Sequence, residues 1–425
     1  MALFVTIGFM ILLLGGVPVA FVLVLISLPP LMEIGIPLSI VAQRLYSGMD
    51  SFTYLAIPLF ILAGELMDTV GITVRLFNLA RTLVGHLRGG LAMVVVVTEY
   101  LFSGISGSVI ADTAAVGSVA VPALERNGYS RAKAAGIVCG ACAMAILVPP
   151  SISMIVYGAL TNVSIAALFV AGFIPAALSA VGMMILLYVE ARTSRIPVAE
   201  RANLQEVAAA LKNAFWALMM PVIIILGFRA GAFTATETAA VVVIYALFVD
   251  AVIYRELTVK AAINILVRSA QMTGVVMLLI AASTIFSWYL TIQEVPQRLT
   301  AYVVDYNVSQ AMLIFLIIIL FLFLGSIVDG LAAMIMVVPI LIPVFAASGL
   351  DPLHMGVVII AVSGLGVYHP PVGAGLFVAA SVAKASIEET TVAAIPYLLV
   401  VTVCVFIVAY IPEIVLFLPR AFGLL

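Results

Sequence analysis

The sequence predicts an all-α polytopic membrane protein made of two inverted repeats, each holding a re-entrant helical hairpin and a broken transmembrane helix. Three observations lead to it. Of 425 residues, 65% are hydrophobic and 9% charged, and the mean hydropathy is +1.33, whereas soluble chains are about 45–50% apolar. Gly/Ser/Pro interruptions recur in pairs at matching spacings. Asp112 to Pro122 and Asp329 to Pro339 are both 10 apart, Gly128 to Pro149 and Gly349 to Pro370 both 21, and Pro150 to Pro175 and Pro371 to Pro396 both 25. Third, Lys and Arg divide unevenly between the two membrane faces. The net charge of -2 gives no global attraction for nucleic acid.

Taken in order, runs of about 20 apolar residues mark spans, because the bilayer core offers an interrupted backbone no water. Nine crossings are expected near 3–28, 52–68, 132–159, 165–190, 214–229, 237–254, 272–293, 352–382 and 392–418. The first run has no convincing small-residue cleavage site and reads as a helix rather than a signal peptide. Segments 90–125 and 309–347 are too long for one span and turn at S-G-I-S-G-S (Ser103–Ser108) and L-G-S-I-V-D (Leu324–Asp329). Each is expected to enter and leave on one side. With a cytoplasmic N-terminus and a periplasmic C-terminus, fourteen of the 18 Lys and Arg lie inside, and only Arg44, Arg229, Arg298 and Arg420 lie outside. That bias holds only if both hairpins re-enter. Five crossings then separate them, which inverts the second copy relative to the first.

Two amphipathic stretches, 71–89 and 295–306, suit helices lying in the interface and precede the two hairpins as bracing arms would. The expected organisation is scaffold and first arm over 1–89, a mobile repeat over 90–159, and connecting scaffold with the second arm over 160–308. A second mobile repeat follows over 309–383, with a scaffold helix over 384–425. Cys139, Cys142 and Cys404 lie in apolar segments, and Cys139 and Cys142, though spaced C-x-x-C, have no second ligand pair nearby and read as inert.

Paired, Gly/Pro-broken hydrophobic segments in two halves point to the binding site of a secondary transporter. A broken helix supplies a cation with unpaired carbonyls and the negative end of a half-helix dipole. Proline frees a carbonyl and glycine lets backbone approach closely. Ser103, Ser106, Gly107, Pro149 and Ser151 in the first half, and Gly325, Ser326, Gly366, His369 and Gly373 in the second, are the candidate ligands of sodium, two or more ions in all. An anionic substrate is expected between the tips, at Ser108, Asp112, Pro150, Asp329, Pro371 and Val372, where half-helix N-termini present free N–H groups. Asp112 and Asp329 could instead hold the turns as N-terminal caps. Glu65 and Glu99 have no assigned place, and Glu237 reads as a helix cap. No organic cofactor is implied. An intramembrane aspartyl protease using Asp112 and Asp329 is the alternative from the enzyme class. Inverted repeats around the two aspartates favour a transport pathway over a catalytic dyad, and a channel is a further alternative.

The residues G-G-V-P-V-A-F (Gly15–Phe21), I-P-L-F-I-L-A-G (Ile57–Gly64), S-G-S-V-I-A-D-T (Ser106–Thr113), P-P-S-I (Pro149–Ile152), F-T-A-T-E (Phe233–Glu237), L-G-S-I-V-D (Leu324–Asp329) and P-P-V-G (Pro370–Gly373) carry a resemblance. Together they make the chain similar, over essentially its whole length, to the large membrane subunit of tripartite ATP-independent periplasmic (TRAP) transporters, in the ion-transporter superfamily. The family usually has Thr where this chain has His369. The resemblance implies sodium-driven, elevator-type import of an organic acid across the bacterial inner membrane. It also implies a separate periplasmic substrate-binding protein and a small four-helix membrane subunit. Among family members the chain looks most like the sialic-acid type, with C4-dicarboxylate as the second substrate class.

Overall fold

The structure, a computed structural model, describes residues 2–68, 71–193, 200–229, 233–370 and 372–425. Pro371 and Arg195 lie outside the described residues, as does the side chain of Ser106. Among the described residues all regular structure is helical. In an apolar solvent only internally bonded elements leave no backbone group unsatisfied, so helices are the expected outcome.

Helix α1 (Ala2–Leu14) and α2 (Val19–Glu33) lead to α3 (Leu38–Met49), and α4 (Ala56–Asp68) follows a short 3-10 turn. The arm α5 (Ile72–Val84) precedes the first hairpin, α6 (Gly90–Ser106) and α7 (Val109–Arg126). The first broken helix consists of α8 (Arg131–Cys142), a 3-10 turn at Ala145–Leu147, and α9 (Ile152–Thr161). Next come α10 (Ile165–Ala171) with α11 (Phe173–Thr193), α12 (Leu204–Arg229), α13 (Ala235–Phe248) and the 34-residue α14 (Val259–Ile292). The second arm α15 (Val295–Asp305) precedes the second hairpin, α16 (Gln310–Ile327) and α17 (Gly330–Ser348). The second broken helix is α18 (Pro352–Gly366) and α19 (Ala374–Ala383), followed by α20 (Ile387–Tyr410) and α21 (Pro412–Ala421).

The expected hairpins, broken helices and arms are all present. The first crossing is not: the run at 3–28 folds as two helices turning at Gly15–Pro18, where Gly16 has φ +79°. Ile26 returns to within 3.8 Å of the position a Cβ on Gly8 would take, so α1 and α2 lie against each other. The reason is local. Two glycines and a proline in four residues interrupt the helical ladder, and no neighbouring element restores it. The last expected span, 392–418, is also divided, into the long α20 and the short amphipathic α21.

Glycine contacts fix how the repeats interlock. A Cβ on Gly364 of α18 would sit 2.4 Å from the Ala143 carbonyl, and one on Gly356 2.4 Å from the Tyr157 ring. The two broken helices therefore cross near their breaks at backbone distance. Arm α5 packs on α6 and on α12, and arm α15 packs on α17 and on α14, so each arm bridges a hairpin to a long helix. Arg75 of α5 pairs with Glu256 at 3.1 Å and lies 4.0 Å over the Tyr254 ring, tying the first arm to the end of α13. α20 lies equally close to α8, since a Cβ on Gly136 would be 2.7 Å from the Ala393 carbonyl and one on Gly140 2.5 Å from Tyr397 Cβ. Lys133 of α8 and the Tyr397 hydroxyl of α20 both reach Glu190 of α11, at 2.8 and 3.0 Å.

Candidate ion and substrate sites at the two hairpin tips

Each tip packs on the break of its own repeat. In the first repeat α6 ends at Ser106, Gly107 turns the chain with φ +67°, and Ser108 is extended before α7 begins. Ser103, one turn before the tip, donates its hydroxyl to the Ala145 carbonyl at 2.6 Å. A Cβ on Gly104 would meet the Pro149 carbonyl at 3.0 Å, and one on Gly107 the Pro150 carbonyl at 2.9 Å. Glycine at these positions lets the tip backbone lie directly against the Pro149 and Pro150 carbonyls.

The first break, Val148–Ser151, is buried, and its Pro149–Pro150 bond is cis. Ser151 stands at the N-cap of α9, fully buried, and its hydroxyl bonds to nothing among the described residues. The first bond into that helix runs from Ile155 N–H to Ser151 O, so the amides of Ile152, Ser153 and Met154 face the break without an intrahelical acceptor. Carbonyls, a serine hydroxyl and helix-start amides thus converge where the tip ends.

The second repeat solves the same problem with glycine on both sides. A Cβ on Gly325 would lie 3.0 Å from Gly366 Cα, and one on Gly366 2.9 Å from Gly325 Cα. Gly373, with φ +25°, donates its N–H to the Ser326 carbonyl at 3.0 Å, closing tip against break. A Cβ there would strike the His369 and Val367 carbonyls at 2.9 Å, so those oxygens crowd one point. The Ser326 hydroxyl donates back to Phe323 O at 2.8 Å. Unlike the first break, this one is open: His369, Pro370 and Val372 are exposed, and the His369 ring turns to the neighbouring Pro370 carbonyl at 3.3 Å.

The two aspartates that the sequence makes equivalent occupy different surroundings. Asp329 accepts the Leu331 N–H at 3.0 Å and caps α17. Asp112 is fully buried in the first turn of α7, behind the tip, near Glu99. Ser108, half-buried, faces a small cavity of about 50 Å³ between Phe102 and Ala111 of the hairpin and Gly64, Glu65 and Met272 of α4 and α14. Glu237 forms a capping box with Thr234 at the start of α13, as a helix cap should.

Sequence reasoning had no place for the buried group formed by Glu99, Thr113, Cys142 and Tyr368. Thr113 and Tyr368 bond hydroxyl to hydroxyl and so tie the first hairpin to the second broken helix. A signal was available: Glu99, Ser103 and Ser106 stand at i, i+4 and i+7, one polar stripe on an apolar helix.

Residues 6–414 match the family described as the tripartite ATP-independent periplasmic transporter, DctM component. The chain belongs to this family. Among its relatives are the C4-dicarboxylate TRAP transporter large permease protein DctM of Pseudomonas aeruginosa, 38% identical over 90% of both chains. The sialic acid TRAP transporter large permease protein SiaM of Vibrio cholerae is 37% identical over 98% of this chain and 97% of its own. The 2,3-diketo-L-gulonate large permease YiaN of Escherichia coli is 35% identical over 94% and 95%. The fold is also similar to that of the Alcanivorax borkumensis YdaH transporter, with a TM-score of 0.60 at 14% identity and 88% of each chain covered. The chain is thus a multi-span TRAP large permease, and relatives within that family differ in substrate.

Proposed function

We propose that this subunit imports an organic acid across the bacterial inner membrane by sodium symport, with sialic acid as its substrate. The observation that carries the reading is the twin tip-to-break contact. Each gathers backbone carbonyls where tip meets break, and at the first the buried Ser151 hydroxyl bonds to nothing among the described residues. Oxygen donors without a formal charge suit a hard monovalent cation better than a transition metal. Sodium is held at Ser103, Ser106, Gly107, Pro149 and Ser151, and at Gly325, Ser326, Gly366, His369 and Gly373. The substrate carboxylate lies between the tips near Ser108, Pro150 and Val372, stabilised by helix-start amides and by bound sodium. Full burial takes Asp112 out of that crevice wall, and Asp329 shapes it as a cap. The sialic acid permease of Vibrio cholerae, which aligns over nearly the whole chain, supports this substrate class. The Pseudomonas aeruginosa relative supports C4-dicarboxylate as the second reading.

The two repeats slide together past α2, α4, α12, α13 and α14, with α5 and α15 as braces. Because α8 meets α20 at glycine distance and both reach Glu190, α11 and α20 travel with the moving unit. The Lys- and Arg-rich side faces the cytoplasm by the positive-inside rule. With α1 and α2 folded as a hairpin, the N-terminus then lies on the outer face, the reverse of the expectation from a single first span. A small membrane subunit covers the static helices and a periplasmic binding protein delivers the substrate. Uptake into liposomes holding all three components should stop when sodium is replaced by choline, and uptake unchanged under a proton gradient alone would overturn the reading. Cysteines at Ala111 and Gly64, which line one cavity, should crosslink and block uptake. Full uptake by the crosslinked protein would remove the sliding mechanism.

A further inference from the structure

Behind the first tip, inside the moving unit, five polar side chains come together: Glu99 on α6, Asp112 and Thr113 on α7, Cys142 on α8, and Tyr368 at the end of α18. Every one is 0% exposed. Thr113 donates to the Val109 carbonyl at 2.7 Å, and the Tyr368 hydroxyl bonds to Thr113, so both hydroxyl oxygens are fixed in place. Glu99 lies beside Asp112 and Cys142. Neither of its carboxylate oxygens receives an N–H or O–H hydrogen bond, and the Cys142 thiol beside it is a weak donor. Among the described residues no Lys, Arg or His forms an ion pair with Glu99.

A buried carboxylate without a strong donor or a base is costly unless something positive accompanies it. Glu99 stands one turn from Ser103 on the same face, about 6 Å along the helix, so it backs the first tip site. We propose that Glu99, with Asp112 and the Thr113 hydroxyl, holds a sodium-sized monovalent cation inside the moving unit, as a site separate from the two at the tips. This rests on the sodium-coupled reading above. The donors are hard oxygens, as such an ion prefers. The site explains why an ionisable pair persists at full burial, and it adds one ion to the coupling.

The test uses the whole transporter in liposomes, with the variants Glu99→Gln and Thr113→Val. Sodium-to-substrate stoichiometry is read from reversal potentials, and radioactive sodium binding to the purified membrane complex is counted without substrate. Glu99→Gln should lose one sodium per substrate and lower the slope of the sodium dependence by about one. Thr113→Val should keep the count but weaken sodium binding about 5- to 150-fold, the range of a single coupling term. Unchanged sodium count and slope in Glu99→Gln overturn the site. So does a proton gradient that drives the wild type and loses its effect in Glu99→Gln, for Glu99 would then carry a proton. If Glu99→Gln does not fold, Thr113→Val decides alone: unchanged sodium affinity overturns the proposal. Choline replacement in the wild type tests the sodium reading separately. Indifference to sodium there would end that reading, whatever Glu99 does.

Discussion

Replacing Gly325 by Ala tests whether the second tip and its break form one built site. The new methyl would lie 3.0 Å from Gly366 Cα and 3.4 Å from its carbonyl carbon. Carbon atoms rest about 3.5–4.0 Å apart, so the tip must retreat by roughly 0.5–1 Å. Both partners are helical backbone and cannot rotate away as a flexible side chain would. Overpacking of this kind costs about 1–3 kcal/mol. If the ion-bound state needs the close approach, sodium half-saturation rises about 5- to 150-fold. Gly366→Ala should act alike, because its methyl would meet Gly325 Cα at 2.9 Å, and the pair should be less than additive since both push the same surfaces apart. Gly274→Ala in α14 is the control: nothing lies within 4 Å of its Cβ, and alanine within a helix is favoured over glycine by roughly 0.5–1 kcal/mol. The measurement is sodium-dependent uptake in liposomes beside thermal unfolding of each purified variant. Gly325→Ala protein with wild-type sodium dependence would refute the argument that this contact shapes the ion site.

Ser103→Ala removes the 2.6 Å hydroxyl bond to the Ala145 carbonyl, which keeps the Val148 N–H at 2.8 Å, a loss of about 0.5–1.5 kcal/mol, and sodium titration of uptake should show weaker binding. Thr234→Ala removes the acceptor for the Glu237 N–H in the α13 capping box, so the melting temperature should fall by an amount matching about 1 kcal/mol. Unchanged melting would show that neighbouring helices, not the cap, hold that end.

The sequence by itself determined the helical membrane class, the two hairpins, the two broken helices and the arms. These follow from span length, from Gly and Pro punctuation and from the Lys/Arg distribution, and each of those is a local property of the chain or a count along it. The matched spacings also paired each tip with its break, because a duplicated unit keeps its internal contacts. Other features depend on which helices meet. The G-G-V-P stretch reads as part of one long apolar run until Ile26 is seen returning to Gly8. Asp112 and Asp329 are equivalent by spacing. Only the fold buries Asp112 beside Glu99 and leaves Asp329 capping α17. Glu99, Thr113, Cys142 and Tyr368 lie as much as 269 positions apart in the chain (Glu99 to Tyr368). No local pattern announces that the second broken helix will carry a tyrosine hydroxyl to the first hairpin. That meeting is decided by Gly364 and Gly356, whose missing side chains let the two repeats cross at backbone distance.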